Sequence, residues 1–319
     1  MPQTAILFTG QGAQSVGMGK DIADRWPVAA QTFAQANEVL GYDLRKLCFE
    51  GPADQLERTD IQQPAIYTSS VAIWRAFNEG RDLPENPVAM AGLSLGEYTA
   101  LHAAGCMTFE AGLQLVRRRG ELMQAAATAV ASGMVSIMGL APDAVETLCQ
   151  TVLAELPPEV VLVPANYNCP GQLVVSGLTA LVRKAILLAQ ERGARRTVEL
   201  SVSAPFHSKF LQPVGEVLRE FLRSIQVRTP KIPVISNVTA EFFPDDPERI
   251  KELLIVQAFS PVKWEQTIRK MLSIGVDRFV EVGPGKVLNS FVKKIDRDAQ
   301  VSSTDVENLA QLREIEISA

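Results

Sequence analysis

Histidine and cysteine are scarce in this chain of 319 residues, with two of the first and four of the second. The cysteines stand at positions 48, 106, 149 and 169, so no CxxC spacing exists to seat zinc or a redox pair. With so few ligands no closed metal site is expected, and scattered thiols fit a reducing cytoplasm. Long apolar runs are missing too. Nowhere do 18 wholly apolar residues follow one another, and the opening MPQTAILFTGQG has no basic segment ahead of its short apolar stretch Ala5 to Phe8. Neither a membrane span nor a signal peptide is expected. Charge of one sign does not dominate, since 31 basic against 36 acidic residues leave a net charge of -5. That balance, with charged residues at only 21%, argues against disorder, a coiled coil or a general nucleic-acid surface. Internal repeats and low-complexity tracts are absent as well.

What is present is core material: 47% of the residues are apolar, and at roughly 150 residues per domain the length suits about two domains. Thr4 to Phe8 reads as a buried strand ending in Gly10-Gln11-Gly12. The turn is no nucleotide fingerprint, because Ser15 takes the third glycine position of GxGxxG and no Gly-Lys-Ser/Thr follows. Helical patterns at Ala29 to Leu40 and Ile66 to Phe77, a loop Pro84 to Pro87 and a second buried strand at Val88 to Ala91 indicate an α/β fold. Between Gly133 and Leu200 the order becomes strand 135–138, helix 142–153, strands 160–164 and 173–176, helix 179–191, strand 197–200. This β-α-β-β-α-β series is the ferredoxin-like arrangement. The expected division is a large α/β catalytic body over 1–130 and 203–319 with a small subdomain over 131–202 inserted in it. In the resumed body Ser208 is placed to cap a helix carrying Phe210, Val214, Val217, Phe221 and Ile225, and strand Arg278 to Val282 runs into Gly283-Pro284-Gly285. Thr304 and Glu307 form a capping-box pattern for a last helix.

The chemistry begins at Gly92-Leu93-Ser94-Leu95-Gly96, a GxSxG between a strand and a helix, the pattern of a nucleophile elbow in a hydrolase-like α/β body. Chance alone would place GxSxG in roughly 0.1 of chains this long, so the match together with its flanking elements favours function over a plain tight turn. A serine nucleophile needs a base, and only His102 and His207 are available. His102 lies eight residues along the helix, about 12 Å up its axis, out of hydrogen-bond reach and better suited to packing. His207, in the loop Ser203-Ala204-Pro205-Phe206-His207-Ser208, is the candidate base. No third acid announces itself. In Arg117-Arg118-Arg119 helical phase places Arg119 in the apolar sector and leaves the other two outside. A buried guanidinium needs an anion, supplied either by the protein or by a substrate. The clusters Arg192, Arg195, Arg196 and Lys286, Lys293, Lys294 read as solvated faces.

Together with Gln63-Pro64-Ala65, Glu97-Tyr98, Gly120, Asn166 to Gln172 and Gln257 before Ser260-Pro261-Val262, these motifs resemble the malonyl-CoA:acyl carrier protein transacylases, acyltransferases of fatty acid and polyketide synthesis. The likeness runs from residue 4 to about 295. It implies that Ser94 is the acylated nucleophile, His207 its base and Arg119 the clamp for malonyl's free carboxylate. A backbone carbonyl near Gln257 would orient the histidine, so a dyad suffices. The Gln11 and Leu95 N–H groups would form the oxyanion hole, and Gln63 and Asn168 would line the acyl or pantetheine channel. Leu93 stands where many members carry His, and Phe206 resembles the malonyl-selecting version. The activity implied is ping-pong malonyl transfer from coenzyme A to the carrier's phosphopantetheine thiol for fatty acid biosynthesis, by a cytoplasmic monomer with no metal or other cofactor. The competing readings are a serine esterase or thioesterase, which has no use for Arg119, and a catalytically silent thioester- or carrier-binding module, which needs neither Ser94 nor His207.

Overall fold

The computed structural model describes residues 3–79, 87–154, 156–200, 204–306 and 309. Two sheets organise them. The first is parallel and built from β1 (Thr4–Phe8), β2 (Ala89–Gly92), β7 (Arg278–Val282) and β8 (Gln300–Ser303), in the order β2-β1-β7-β8. The second is antiparallel and comprises β3 (Ser132–Met138), β4 (Leu162–Cys169), β5 (Gln172–Leu178) and β6 (Arg196–Glu199), in the order β4-β5-β3-β6.

The near-continuous apolar run of β1 follows from burial on both faces of the parallel sheet. Because successive side chains of a strand point to opposite faces, Ile6 and Phe8 enter one hydrophobic core while Ala5 and Leu7 enter another on the far side. Helices cover both faces, and the longest are Thr59–Asn78 and Phe109–Ala129. The antiparallel sheet carries helices Pro142–Leu153 and Thr179–Glu191, which close a third core around Val135, Leu148, Val175 and Val182. Glycine turns end the parallel strands at one edge: Gly10 to Gly12 after β1, the Ser94 turn after β2, and Gly283 to Gly285 after β7. In open parallel sheets that carboxyl edge is where sites form.

Several elements depart from the sequence reading. β4 runs on past Pro164 to Cys169, which an edge strand permits because proline's missing N–H needs no partner there, and register shifts after Pro164 and Tyr167 mark the irregularity. That extension ties the antiparallel sheet to the loop ahead of helix Trp264–Ser273: the Tyr167 N–H donates to the Val262 carbonyl at 2.9 Å, and the Val262 N–H to the Ala165 carbonyl at 2.8 Å. Ser208 does not cap by accepting a hydrogen bond. Its hydroxyl donates to the Pro205 carbonyl at 2.6 Å, a short 3-10 turn Lys209–Leu211 follows, and the helix proper is Gln212–Ser224. Proline at the second position of that helix accounts for the late start, since its fixed φ and missing N–H suit the first turn. Residues 84–86, Ser203 and Glu307 lie outside the described residues, as do the boundary at 202/203 and the second half of the capping box. Among the described residues no helix is long and apolar enough to cross a membrane.

Candidate active site

The turn after β2 leaves the backbone no room for side chains on its glycines. A Cβ on Gly92 would stand 1.9 Å from the Gly96 carbonyl carbon, and one on Gly96 would stand 2.2 Å from the Phe8 carbonyl oxygen. Between them Ser94 takes φ 51°, the left-handed region that a non-glycine residue enters only when its surroundings enforce it. Asn237 supplies part of that enforcement: its Oδ1 accepts the Ser94 N–H at 2.7 Å, and its Nδ2 donates to the Gly92 carbonyl at 2.8 Å. Helix Gly96–Ala103 starts immediately after, with its amino terminus beside the serine.

His207 also takes a left-handed conformation, φ 57°, and is buried. Its Nε2 lies 2.7 Å from Ser94 Oγ, while its Nδ1 lies 3.0 Å from the Gln257 carbonyl and 3.1 Å from that of Ser260. Carbonyl oxygens only accept, so Nδ1 carries the proton and Nε2 is left to accept the serine hydroxyl. Burial, then the nearby Arg119 charge, push the imidazole down to about 4 against the pull of the two carbonyls. At neutral pH the ring is therefore uncharged and able to take a proton.

Arg119, on Phe109–Ala129, is buried as helical phase required, whereas Arg117 and Arg118 are half-buried and pair with Glu121. Its Nη1 donates to Gln63 Oε1 at 2.8 Å, and its Nη2 to Ser94 Oγ at 3.1 Å and Gln257 Oε1 at 3.2 Å. The guanidinium also stands 5.3 Å over the Tyr98 ring. The Tyr98 hydroxyl adds a further hydrogen bond to the guanidinium, Nε has no well-formed one, and among the described residues no carboxylate lies within ion-pair distance of this arginine.

Gln11 sits in the turn after β1, with its Oε1 3.5 Å from Gln63 Nε2. Neither its N–H nor that of Leu95 donates to another described residue. Asn168 makes no contact with the serine. It is buried in an adjoining cleft of about 230 Å³ that Gln11, Leu93, Asn166 and Gln172 also line, and its Oδ1 is unpartnered. His102 lies apart from the group, packed against the rings of Tyr67 and Phe109 with Nδ1 3.0 Å from the Met107 carbonyl.

Comparison with known proteins gives the chain a family. Residues 6–311 match the model of the acyl transferase domain. The chain belongs to the acyltransferase family. This acyltransferase is 42% identical to the malonyl CoA-acyl carrier protein transacylase of Bacillus subtilis (strain 168) over 297 residues, covering 93% of this chain and 92% of that one. It superposes on the crystal structure of an acyl carrier protein S-malonyltransferase from Vibrio cholerae with TM-score 0.91 and 40% identity, over 97% of this chain and 99% of the other. A malonyl-transacylase solved in complex with its type II PKS acyl-carrier protein matches with TM-score 0.93 and 36% identity, over 98% and 99% of the two chains. The pairing of a parallel with an antiparallel sheet in a mixed α/β fold is the acyltransferase architecture.

The acyltransferase site also contains residues to which the sequence reading assigned no role. Asn237 lies far from any motif, and Ser260 stands in a motif that gave it no role; only the fold brings the first to Ser94 and the carbonyl of the second to His207. Glu97 had a signal: it stands three residues after Ser94, one helical turn away, within a stretch whose apolar neighbours imply burial. It is fully buried, and desolvation raises its carboxyl to about 7.

Proposed function

We propose that this acyltransferase moves a malonyl group from coenzyme A to the phosphopantetheine thiol of an acyl carrier protein, supplying fatty acid biosynthesis, through a malonyl-serine. Ser94 Oγ attacks the thioester carbonyl, forming a C–O bond as the C–S bond breaks. His207 takes the serine proton and delivers it to the departing thiolate. The carrier's thiol then reverses these steps, with His207 as its base. The free N–H groups of Gln11 and Leu95 would receive the carbonyl oxygen as it becomes an oxyanion. Gln257 orients His207 through its carbonyl, Gln63 helps hold Arg119, and Asn168 offers its unpartnered oxygen to the amides of pantetheine.

One observation carries the malonyl assignment: a buried guanidinium stands beside the nucleophile with an unpartnered N–H and no protein carboxylate. A planar fork suits malonyl's free carboxylate, which acetyl lacks. An esterase of neutral acyl groups gains nothing from it. The body around the parallel sheet reads as hydrolase-like by virtue of its elbow. The 131–202 segment reads as a ferredoxin-like subdomain, supported by its strand order and its separate core. A cytoplasmic monomer working without a metal ion remains part of this reading.

Intact-mass measurement after mixing with malonyl-CoA tests the function. The expected result is one malonyl addition to the wild-type protein and none to Ser94→Ala. Unlabelled wild-type protein, or label persisting in the variant, would remove the serine assignment.

A further inference from the structure

Glu97 is buried beside the nucleophile, and nothing in the transfer chemistry requires it. Both its oxygens face donors. Oε1 accepts the Asn237 N–H at 2.9 Å, Oε2 accepts from Gln257 Nε2, and the Ser236 hydroxyl adds a further hydrogen bond. The Gln257 amide then has a single sensible orientation. Its NH2 serves Glu97 and, at 2.7 Å, the Ser94 carbonyl, which turns its Oε1 toward Arg119 Nη2 at 3.2 Å. Carboxylate, amide and guanidinium thus form one chain leading to Ser94 Oγ. Arg119 has no carboxylate in contact, yet Glu97 stands one side chain away and favours its charged form.

On the malonyl-transfer reading, we infer that Glu97 is a positioning and specificity residue, the resident counter-charge of the acyl pocket, acting on Arg119 through the Gln257 amide. With the pocket empty, Glu97 holds the guanidinium charged and oriented at a place where burial alone would be costly. Malonyl's carboxylate then enters as a second anion. Arg119 is left partly satisfied, and its grip on malonyl is weaker than an uncompensated arginine's would be.

The Glu97→Gln variant tests this directly. It removes the charge and forces a donor against either the Asn237 N–H or the Gln257 amide, so Arg119 loses both its counter-charge and the enforced Gln257 acceptor. Both losses make the arginine more receptive to an external carboxylate. The readout is the ratio of kcat/KM for malonyl-CoA to that for acetyl-CoA, in which effects common to both acyl groups cancel. E97Q is expected to raise the ratio about tenfold, the scale of a coupling between charges a few ångströms apart inside a protein. The E97Q/R119A double variant should show the ratio of R119A alone, and E97D, which keeps the charge, should stay near wild type. An unchanged or lowered ratio in E97Q, a rise that persists without Arg119, or an E97D ratio that follows E97Q would each overturn the inference.

Should E97Q not fold, the wild-type ratio between about pH 8 and pH 6 carries the same test. Among the described ionisable groups of the site, His207 is pushed down to about 4, Tyr98 is pushed up to about 12 and Arg119 stays a cation, so only Glu97, near 7, titrates in that window. Its protonation should raise the ratio as the pH falls, and a flat profile would refute the role. Failure of the underlying reading is distinguishable, because it would show as no malonyl mass on wild-type protein.

Discussion

At Arg119, two demands meet in one side chain. The guanidinium must be paid for in a buried site while empty, and must still have hydrogen-bonding capacity when substrate arrives. Neutral amide and hydroxyl acceptors from Gln63, Gln257 and Ser94 meet the first demand in part and leave Nε free for the second. Arg119→Ala should therefore lose malonyl transfer by about 10⁴-fold, the scale by which sites built on a buried polar partner reject an analogue lacking it. Acetyl transfer should change little or improve. Arg119→Lys should recover only part of the malonyl activity, since it keeps the charge but not the fork. Steady-state kcat/KM for both thioesters, on variants with wild-type circular dichroism, checks this, and an unchanged malonyl-to-acetyl ratio in R119A would make the arginine a structural residue. Its inward direction was legible from the sequence because helical phase needs only the spacing of apolar neighbours. Its partners were not legible, since Gln63 and Gln257 come from helices 56 residues before it and 138 residues after it.

The elements that present these side chains are held by close backbone approach more than by side-chain bonds. β2, the Ser94 turn and helix Gly96–Ala103 fold back on themselves so tightly that a Cβ on Gly92 would strike backbone atoms of Gly96 and the Glu97 nitrogen at 2.5 Å. Backbone cannot yield as a flexible side chain would. Gly92→Ala should cost about 4 kcal/mol or more, in the range reserved for steric failure at a special site. Gly133→Ala in β3 is the control, because a Cβ there meets nothing within 4 Å and should leave stability within about 0.5 kcal/mol. Urea midpoints of the two variants decide the matter, and equal midpoints would show that the elbow can relax. The elbow, the alternation of strand and helix, and the bounds of helices Pro142–Leu153 and Thr179–Glu191 were readable because each rests on local periodicity and turn chemistry. The continuation of β4 beyond Pro164 was not, because a proline breaks a central strand but not an edge strand, and edge position is decided by the whole sheet. Asn237 escaped notice for a similar reason: its use as a brace on the Ser94 turn depends on a loop packing against β2 from 143 residues away.

For the molecule as a whole, the unusual electrostatic feature is that its few neutral-range ionisable groups are pushed in opposite directions. His102 is lowered to about 4, chiefly by burial, from an ordinary value of 6.5, and Glu97 is raised to about 7 from 4.5 by the same cause. Folding stability changes with pH in proportion to the protons bound by the unfolded chain minus those bound by the folded one. In a window of about pH 5 to 6, unfolded His102 is largely protonated and folded His102 is not, so this residue makes stability rise with pH. Glu97 does the reverse there, holding a proton in the folded state that the unfolded chain has released. One proton of difference is worth about 1.4 kcal/mol per pH unit. His102→Gln should therefore flatten the rise of stability with pH by about that amount per unit, and Glu97→Gln should steepen it by a similar amount, whatever slope the wild type itself shows. His102 is the better probe of the pair's structural side, since it packs on Tyr67 and Phe109 away from Ser94 and its loss should not touch the acyl-transfer chemistry. Urea unfolding of wild type and both variants at three or more pH values across the window gives the slopes. Parallel slopes in all three proteins would mean that neither group titrates where its burial places it, and would withdraw the raised carboxyl assigned to Glu97 along with the neutral state assigned to His102 in this window.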